Sequence, residues 1–572
     1  MRPGDLRLGG HGGPARRASI FVFALLALFA LVMRIWAATE RVATSTLVGM
    51  VDSQIYMQLA RSLPAHGWIP EQGFYMSPLY AYLLAVLRVD AGNPWPILIA
   101  QSLLAVAGLI ALALVAQRCA GQLAGWATLC LGALSAPVAV YDVSILSDGP
   151  SFALMAMGLS LLVLRGDSWR SLLGAGCCFA LGYALRANFL LPAFLCGIWL
   201  LAARRRIAWV YALPLVAALL AVAAVNHAAE GQFTPRSYNA GQNLYIGNNA
   251  AADGSYTTLN EIHPGDMMGR AVAERACGHR LSASEVEDFW RQQTLQFVTK
   301  QPGSAAILLL RKFALFFHPH EMPQMEALDL VRRESLALRI SMVGVAMLLP
   351  LAAAGAIGLG PGRHRALLPF WISLGSTLLI CLLFFVNGRL RLPIHLTLLP
   401  LAGIGVAALL GAVAEIQPRR AVTGLIAGLV LVFLLALYPT HAPYRNALSA
   451  ARYAVLEALA GQRERAREWM RVAGEFEDAR GSLWSRPPLA ATIGSHPEAR
   501  WLLQAERAAA WFVLDDLRRA FAEMSPAADA MPRNMRAQEG LLEICGRLTE
   551  SGMGGPEVDA AARRARSRLQ GR

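Results

Sequence analysis

Two aspartates stand where a carboxylate could take a proton from a hydroxyl. Asp52 lies in Val-Asp-Ser-Gln-Ile-Tyr-Met-Gln-Leu-Ala-Arg, residues 51–61, just beyond the first long apolar run. As a helix this stretch puts Asp52, Tyr56 and Leu59 on one face, at i, i+4 and i+7. A carboxylate at a membrane interface can serve as a general base, and partial burial raises its pKa toward a useful range. The competing reading is a solvated acid in a first helical turn. Asp148 lies in Ile-Leu-Ser-Asp-Gly-Pro-Ser, at the entrance to another apolar run. It too suits a helix start ahead of Pro150.

The cationic candidates are as few. Arg186 and Asn188 interrupt the apolar stretch 171–203, and ionisable groups at membrane depth are costly enough to be functional candidates, with snorkelling toward the interface as the alternative. Arg389 and Arg391 sit in Asn-Gly-Arg-Leu-Arg-Leu-Pro, a short basic connector. Arginine there suits an anionic partner such as a lipid phosphate, which it can meet in a planar, bidentate way. Lys312, one of the chain's two lysines, follows Arg311 in a half-apolar helix, with Glu321 shortly after. His318 and His320 flank a proline at i, i+2, which lacks the spacing of a helix-borne metal pair and favours ordinary loop histidines.

The elements that must hold these residues are membrane helices. The chain has 572 residues, 56% hydrophobic and 16% charged, with long uncharged apolar stretches. A soluble domain runs nearer a quarter charged, and a bilayer core needs roughly 20 apolar residues per helix. Such runs predict about eleven spans: 18–37, 95–116, 122–140, 149–165, 171–186, 188–203, 207–226, 337–358, 366–386, 394–413 and 421–438. The first is too long for the apolar core of a cleaved signal peptide.

The net charge of +14 is topological. Arginines cluster at Arg16–Arg17, Arg118, Arg165 and Arg170, Arg204–Arg206, Arg363 and Arg365, and Arg419–Arg420, in alternate connectors, as the positive-inside rule requires. No stripe of stacking aromatics interleaved with arginine supports nucleic-acid binding.

With a cytoplasmic N-terminus, loops 38–94, 141–148, 227–336 and 387–393 fall outside. Arg389 and Arg391 then form the one short, strongly basic outer connector. Residues 78–87 are too short to span and read as an interfacial or re-entrant helix. A further helix is expected near Ser282 or Ser284, where Ser284 and Glu287 have capping-box spacing. The eight cysteines lack metal or disulfide-framework spacing. Cys277 and Cys545 lie in polar stretches and could pair in an oxidising compartment.

The fold class is therefore all-α: a polytopic transmembrane bundle with long outer loops and a small C-terminal helical domain. Its expected parts are a tail 1–17, a membrane domain 18–440 and a helical domain 441–572. Within the last, 447–476 reads as a helical hairpin turning at Gly461, with no second copy at a fixed period.

Several segments together resemble the C-type glycosyltransferase superfamily, specifically its protein O-mannosyltransferase and aminoarabinose-transferase-like branch. They are Asp52…Tyr56…Ala60-Arg61, Ser77-Pro78-Leu79-Tyr80, Leu146-Ser147-Asp148, Leu185-Arg186-Ala187-Asn188, Asn243-Leu244-Tyr245-Ile246-Gly247-Asn248-Asn249 and Arg389-Leu390-Arg391-Leu392-Pro393. The resemblance covers about residues 18–440. It implies inverting transfer of a sugar from a polyprenyl-phosphate donor to an acceptor hydroxyl of a protein, lipid or glycan, on the outer face of a bacterial inner membrane.

On that resemblance Asp52 is the general base and Asp148 the second acid. Arg389 and Arg391, with Arg186 or Lys312, neutralise the departing phosphate. Tyr245, Asn248 and Asn249 line the sugar pocket, and Tyr56, Arg61, Asn188 and Glu321 complete the expected substrate-binding set. Many relatives carry a second acid directly after the first-loop aspartate. Here Ser53 stands there, which disfavours a divalent metal, since an isolated Asp is a poor Mg²⁺ or Mn²⁺ site. A transporter or lipid flippase, and a non-catalytic envelope scaffold, are the alternative readings. The first should show inverted repeats with broken helices and midplane charges.

Overall fold

The computed structural model describes residues 14–49, 51–70, 74–166, 168–204, 207–235, 237–256, 266, 268–324, 326–412, 418–438, 440, 442–478, 499–532 and 534–570. Arg205, Arg206, Pro439 and the tail 1–13 lie outside these residues. Among the described residues the chain is all helical, with two isolated bridges, Ser135 to Val343 and Ser255 to Val386, and no strand. This is the expected all-α membrane bundle.

Each apolar run folds as helix, and two of them are interrupted. Among the described residues four helices are long and apolar enough to cross a membrane: Arg17–Val42, Trp95–Ala120, Ala208–Glu230 and Pro418–Ala436. Shorter apolar helices include Val345–Gly358, Leu368–Leu383 and Ile394–Leu409. Over its most apolar window Trp95–Ala120 is 56% buried, whereas Pro418–Ala436 is 17% buried. The former is therefore central and the latter lies at the rim, where Leu429, Val430 and Phe433 face outward. Close helix contacts use small residues, as in membranes generally. A Cβ on Gly355 would stand 2.1 Å from the Leu401 carbonyl, and one on Gly405 2.0 Å from that of Leu351.

The run expected as one span over 122–140 is two helices, Gln122–Ala133 and Ala136–Asp142. Pro137 lacks an N–H and opens the second piece, so the helix restarts there. Arg34, fully buried in the first helix, makes the break tolerable. It donates to the carbonyls of Ala133 (2.8 Å) and Gly132 (2.9 Å) and pairs with Asp142 at 3.2 Å. The end of the first piece and a buried acid are thus satisfied by one guanidinium. The run expected over 337–358 is likewise split, into Leu336–Ile340 and Val345–Gly358, with Val343 N–H donating to the Leu134 carbonyl.

Beyond the bundle lie three successive helical hairpins: Ala442–Leu459 with Arg463–Asp478, Ala499–Val513 with Leu517–Ala530, and Met535–Glu550 with Pro556–Gln570. Gly461 makes the first turn with φ 79°, a backbone region that suits glycine. Three hairpins are more regular than the sequence suggested, because the longer connection 479–498 breaks the spacing. The first hairpin docks on the connectors 38–94 and 227–336: Arg445 pairs with Asp253 at 2.8 Å, Asn446 donates to Asp329 at 2.8 Å, and Ser45 donates to Glu457 at 3.2 Å.

The capping box of the helix Ala283–Lys300 is Ser282 with Glu285, not Ser284 with Glu287. Glu287 is buried instead and accepts from the Gly241 N–H at 2.8 Å. Cys277 is exposed, Cys545 is buried, and both are free thiols.

Candidate active site

The first-loop helix Val51–Ser62 is tied to the turn that precedes Asp148. Ser53 donates to the Ile145 carbonyl at 3.1 Å, and the Tyr56 hydroxyl bonds Ser147 at 3.2 Å. Tyr56 packs edge-on against Tyr80 at 4.9 Å between ring centroids. The Tyr80 hydroxyl in turn donates to Gln101 at 2.6 Å, and Gln101 donates to the carbonyls of Asp142 and Ser144 at 3.1 and 2.9 Å. These bonds tie the Val51–Ser62 helix and Tyr80 to the 142–147 turn through buried polar groups. The two aspartates are drawn together by these ties and not by each other, since like charges repel.

What bridges them is Arg389. Its Nε lies 3.2 and 3.1 Å from the two oxygens of Asp148, its Nη2 lies 3.0 Å from Asp148 Oδ2, and its Nη1 pairs with Asp52 Oδ2. Arg186 pairs with Asp148 from the other side. Two carboxylates and two guanidiniums therefore meet at one end of the bundle, with formal charges that cancel. Their exposures differ: the Asp148 side chain is 1% exposed, that of Asp52 15%. Asp148 is enclosed and faces both arginines, while Asp52 is the more accessible acid. Burial alone would lower the Arg389 pKa, but neighbouring Asp52 outweighs it and raises the value.

The loop that carries Arg389 is positioned closely. Asn387 caps the short helix Gly388–Arg391 by accepting from the Leu390 N–H at 2.7 Å, and it also donates to Gln324. Gly388 N–H donates to the Met322 carbonyl at 3.0 Å. A Cβ on Gly388 would lie 2.8 Å from the Tyr141 hydroxyl and 3.4 Å from Glu321 Oε2. The turn carrying Arg186 is held by Ser77, whose hydroxyl accepts from the Ala187 N–H at 3.0 Å.

Beside the cluster lies a narrow cleft. Its walls include Phe189, Thr377, Ile380 and Leu390, and Arg186, Asn188 and Arg389 also line it. Its exposed lining is mostly apolar and is edged by two guanidiniums, a combination that suits an anion carried on an apolar group.

The other expected site residues fall elsewhere. Arg391 is fully buried and donates to the carbonyls of Leu315 (3.2 Å), His318 (2.6 Å) and His320 (3.0 Å), and it pairs with Glu321 at 2.6 Å. Its guanidinium holds the 315–321 segment and is not presented to the cleft. Lys312 donates to Asn248 Oδ1 (2.8 Å) and the Leu382 carbonyl (3.0 Å), and burial pushes its pKa down to about 7. Asn248 donates in turn to Leu244 and Leu383 carbonyls, both at 2.7 Å. Asn249 bonds back into its own helix, and Tyr245 packs on Trp290 with centroids 5.0 Å apart. Arg61 is exposed and makes no contact with the cluster.

His318 is buried and its pKa falls to about 4, with burial the main cause. His320 faces Asp329 at 3.5 Å. Among the described residues no group of three or more His, Cys, Asp or Glu could hold a metal ion. Asp52 and Asp148 each face a guanidinium, so this donor set does not fit a divalent cation.

Five positioning residues are not singled out by the sequence: Ser77, Tyr141, Ser147 and the Asn387–Gly388 pair. Ser77 and Ser147 lay inside quoted motifs. The Asn-Gly pair ahead of Arg389 was a legible turn signal. Tyr141 carried no signal.

No protein-family model matches the chain, and no curated protein matches it. Among solved structures it is similar to ArnT from Cupriavidus metallidurans bound to undecaprenyl phosphate, at 13% identity and TM-score 0.38, over 89% of this chain and 80% of that one. It is also similar to an Archaeoglobus fulgidus oligosaccharyltransferase in the apo form, at 12% identity and TM-score 0.38, over 79% of this chain and 60% of that one.

Proposed function

We propose that this chain is an inverting glycosyltransferase of the C-type superfamily, transferring a sugar from a polyprenyl-phosphate donor to an acceptor hydroxyl. The observation that carries the reading is the meeting of Asp52, Asp148, Arg186 and Arg389 beside a mostly apolar cleft at one end of a helical membrane bundle. The motif resemblance of residues 18–440 points the same way. The N-terminus is cytoplasmic, the C-terminal hairpins are periplasmic, and the site opens to the outer face of the inner membrane.

In this reaction the acceptor oxygen attacks the anomeric carbon from the side opposite the phosphate. Asp52 takes the acceptor proton, the new C–O bond forms, and the bond from the anomeric carbon to the phosphate oxygen breaks with its electron pair. The lipid phosphate leaves carrying one more negative charge, beside the pre-placed guanidiniums of Arg389 and Arg186. Asp148 keeps both arginines in place. Residues 245–249, Lys312, Glu321 and Arg391 act as the scaffold of this face.

The test is transfer of radiolabelled sugar from polyprenyl-phosphate donors in membranes. Asp52→Asn is expected to lower the rate by roughly 10²–10⁴-fold, the range of a lost general base. Equal transfer by both proteins would remove Asp52 from the chemistry. Absence of transfer by the wild type across donors would favour transport or scaffolding instead.

A further inference from the structure

Building on the glycosyltransferase reading, we infer that Asp52 and the donor's phosphate compete for Arg389, so that the base stays locked in an ion pair until the donor arrives. Arg389 is the shared element: it lines the cleft and touches both acids. Its two contacts are unequal. Toward Asp148 it presents Nε and Nη2, at 3.0–3.2 Å, to a carboxylate that is 1% exposed and held again by Arg186. Toward Asp52 it presents one nitrogen, to a carboxylate 15% exposed. The bidentate, enclosed contact is the one that persists, and the single, more open contact is the one that yields.

Charge sets the order of events. Two carboxylates and two guanidiniums sum to zero, so a phosphodiester entering the cleft finds no unpaired cation in the cluster. An uncompensated anion in a low-dielectric cleft is costly. The phosphate is accommodated when the Asp52 side chain rotates away and leaves Arg389 Nη1 to it, with the guanidinium still held on Asp148. The helix Val51–Ser62 stays anchored meanwhile through Ser53 and Tyr56.

Asp52, no longer paired, then accepts the acceptor proton as the sugar moves. The negative charge neutralised on Asp52 reappears on the departing phosphate, next to the same guanidinium. When the lipid phosphate leaves, Asp52 returns its proton to water and pairs with Arg389 again. Donor therefore binds before acceptor, and without donor the base is masked.

The experiment measures binding of a long-chain polyprenyl phosphate to the full chain in lipid nanodiscs, with the corresponding polyprenyl alcohol as the control lipid. Asp52→Asn is expected to bind the phosphate about three- to tenfold more tightly than wild type, because it removes the competitor and leaves Asp148 to hold Arg389. Asp52→Ser should show the same gain, and Arg389→Ala should lose the preference for phosphate over alcohol. Thermal unfolding midpoints identify any variant that is not folded, and the second Asp52 replacement then decides.

Affinity unchanged or weakened in the folded Asp52 variants overturns the competition, while a wild-type preference for phosphate keeps the donor reading. A wild type that binds phosphate no better than alcohol overturns the donor reading, and the competition with it.

Discussion

At the scale of single residues, the two arginines of the Arg-Leu-Arg motif do different work although they sit two positions apart. Arg389 is shared between both acids and the cleft, whereas Arg391 is enclosed among backbone carbonyls and Glu321. Replacing Arg391 by alanine leaves Glu321 without its cation and several buried carbonyls without donors. A loss of about 3–5 kcal/mol is expected, the range for breaking a buried pair from one side. Unfolding in detergent should register that loss, while polyprenyl-phosphate affinity per folded molecule stays near wild type. A selective loss of phosphate affinity with normal stability would return Arg391 to the headgroup site. The motif's residues were legible in the sequence, but their division of labour was not, because burial and partner identity are properties of the surrounding loops.

At the scale of elements, the site depends on short connecting segments clamped to one another. Gly388 shows how closely: the Tyr141 hydroxyl lies 2.8 Å from where a Cβ would stand, too near to be accommodated without a shift. Gly388→Ala should displace Arg389 and slow transfer by about 10²-fold, as small misplacements of a catalytic constellation do. Adding Tyr141→Phe, which removes the clashing oxygen, should recover most of the rate, and failure of the double variant to recover would refute the steric account. The 318–329 segment has a pH-dependent tie of its own. The hydrogen bond that His320 donates to Asp329 raises the His320 pKa above its ordinary 6.5, against the effect of burial. A raised folded-state value means the stabilisation is complete below 6.5 and is lost as pH rises through the folded pKa. Thermal midpoints of the wild type should therefore decline modestly as pH climbs above that range, and His320→Gln should flatten the decline. The same decline in the variant would assign it to another group.

At the scale of the whole molecule, the orientation in the bilayer is the statement with the widest consequences. In a cysteine-free background, a cysteine at position 93 should react with an impermeant reagent from outside, and one at position 363 only after the membrane is opened. The reverse pattern would put the site on the cytoplasmic face and exclude a donor presented outside. Membrane residence and helical class were readable from composition, apolar run length and the placement of arginines, because a bilayer imposes those constraints locally along the chain. The candidate acids and Arg389 were readable too, as polar interruptions of an apolar sequence. Tertiary structure decided the rest. It split the runs 122–140 and 337–358, since Pro137 restarts one helix and Arg34 satisfies the broken end through contacts that no local pattern encodes. It gathered Asp52, Asp148, Arg186 and Arg389 while keeping Arg61, Tyr245, Lys312 and Arg391 out of the cluster. Periodicity tells which residues face out of a helix, whereas which outward faces meet depends on hydrogen bonds between loops far apart in the chain, such as Ser53 to Ile145 and Ser77 to Ala187.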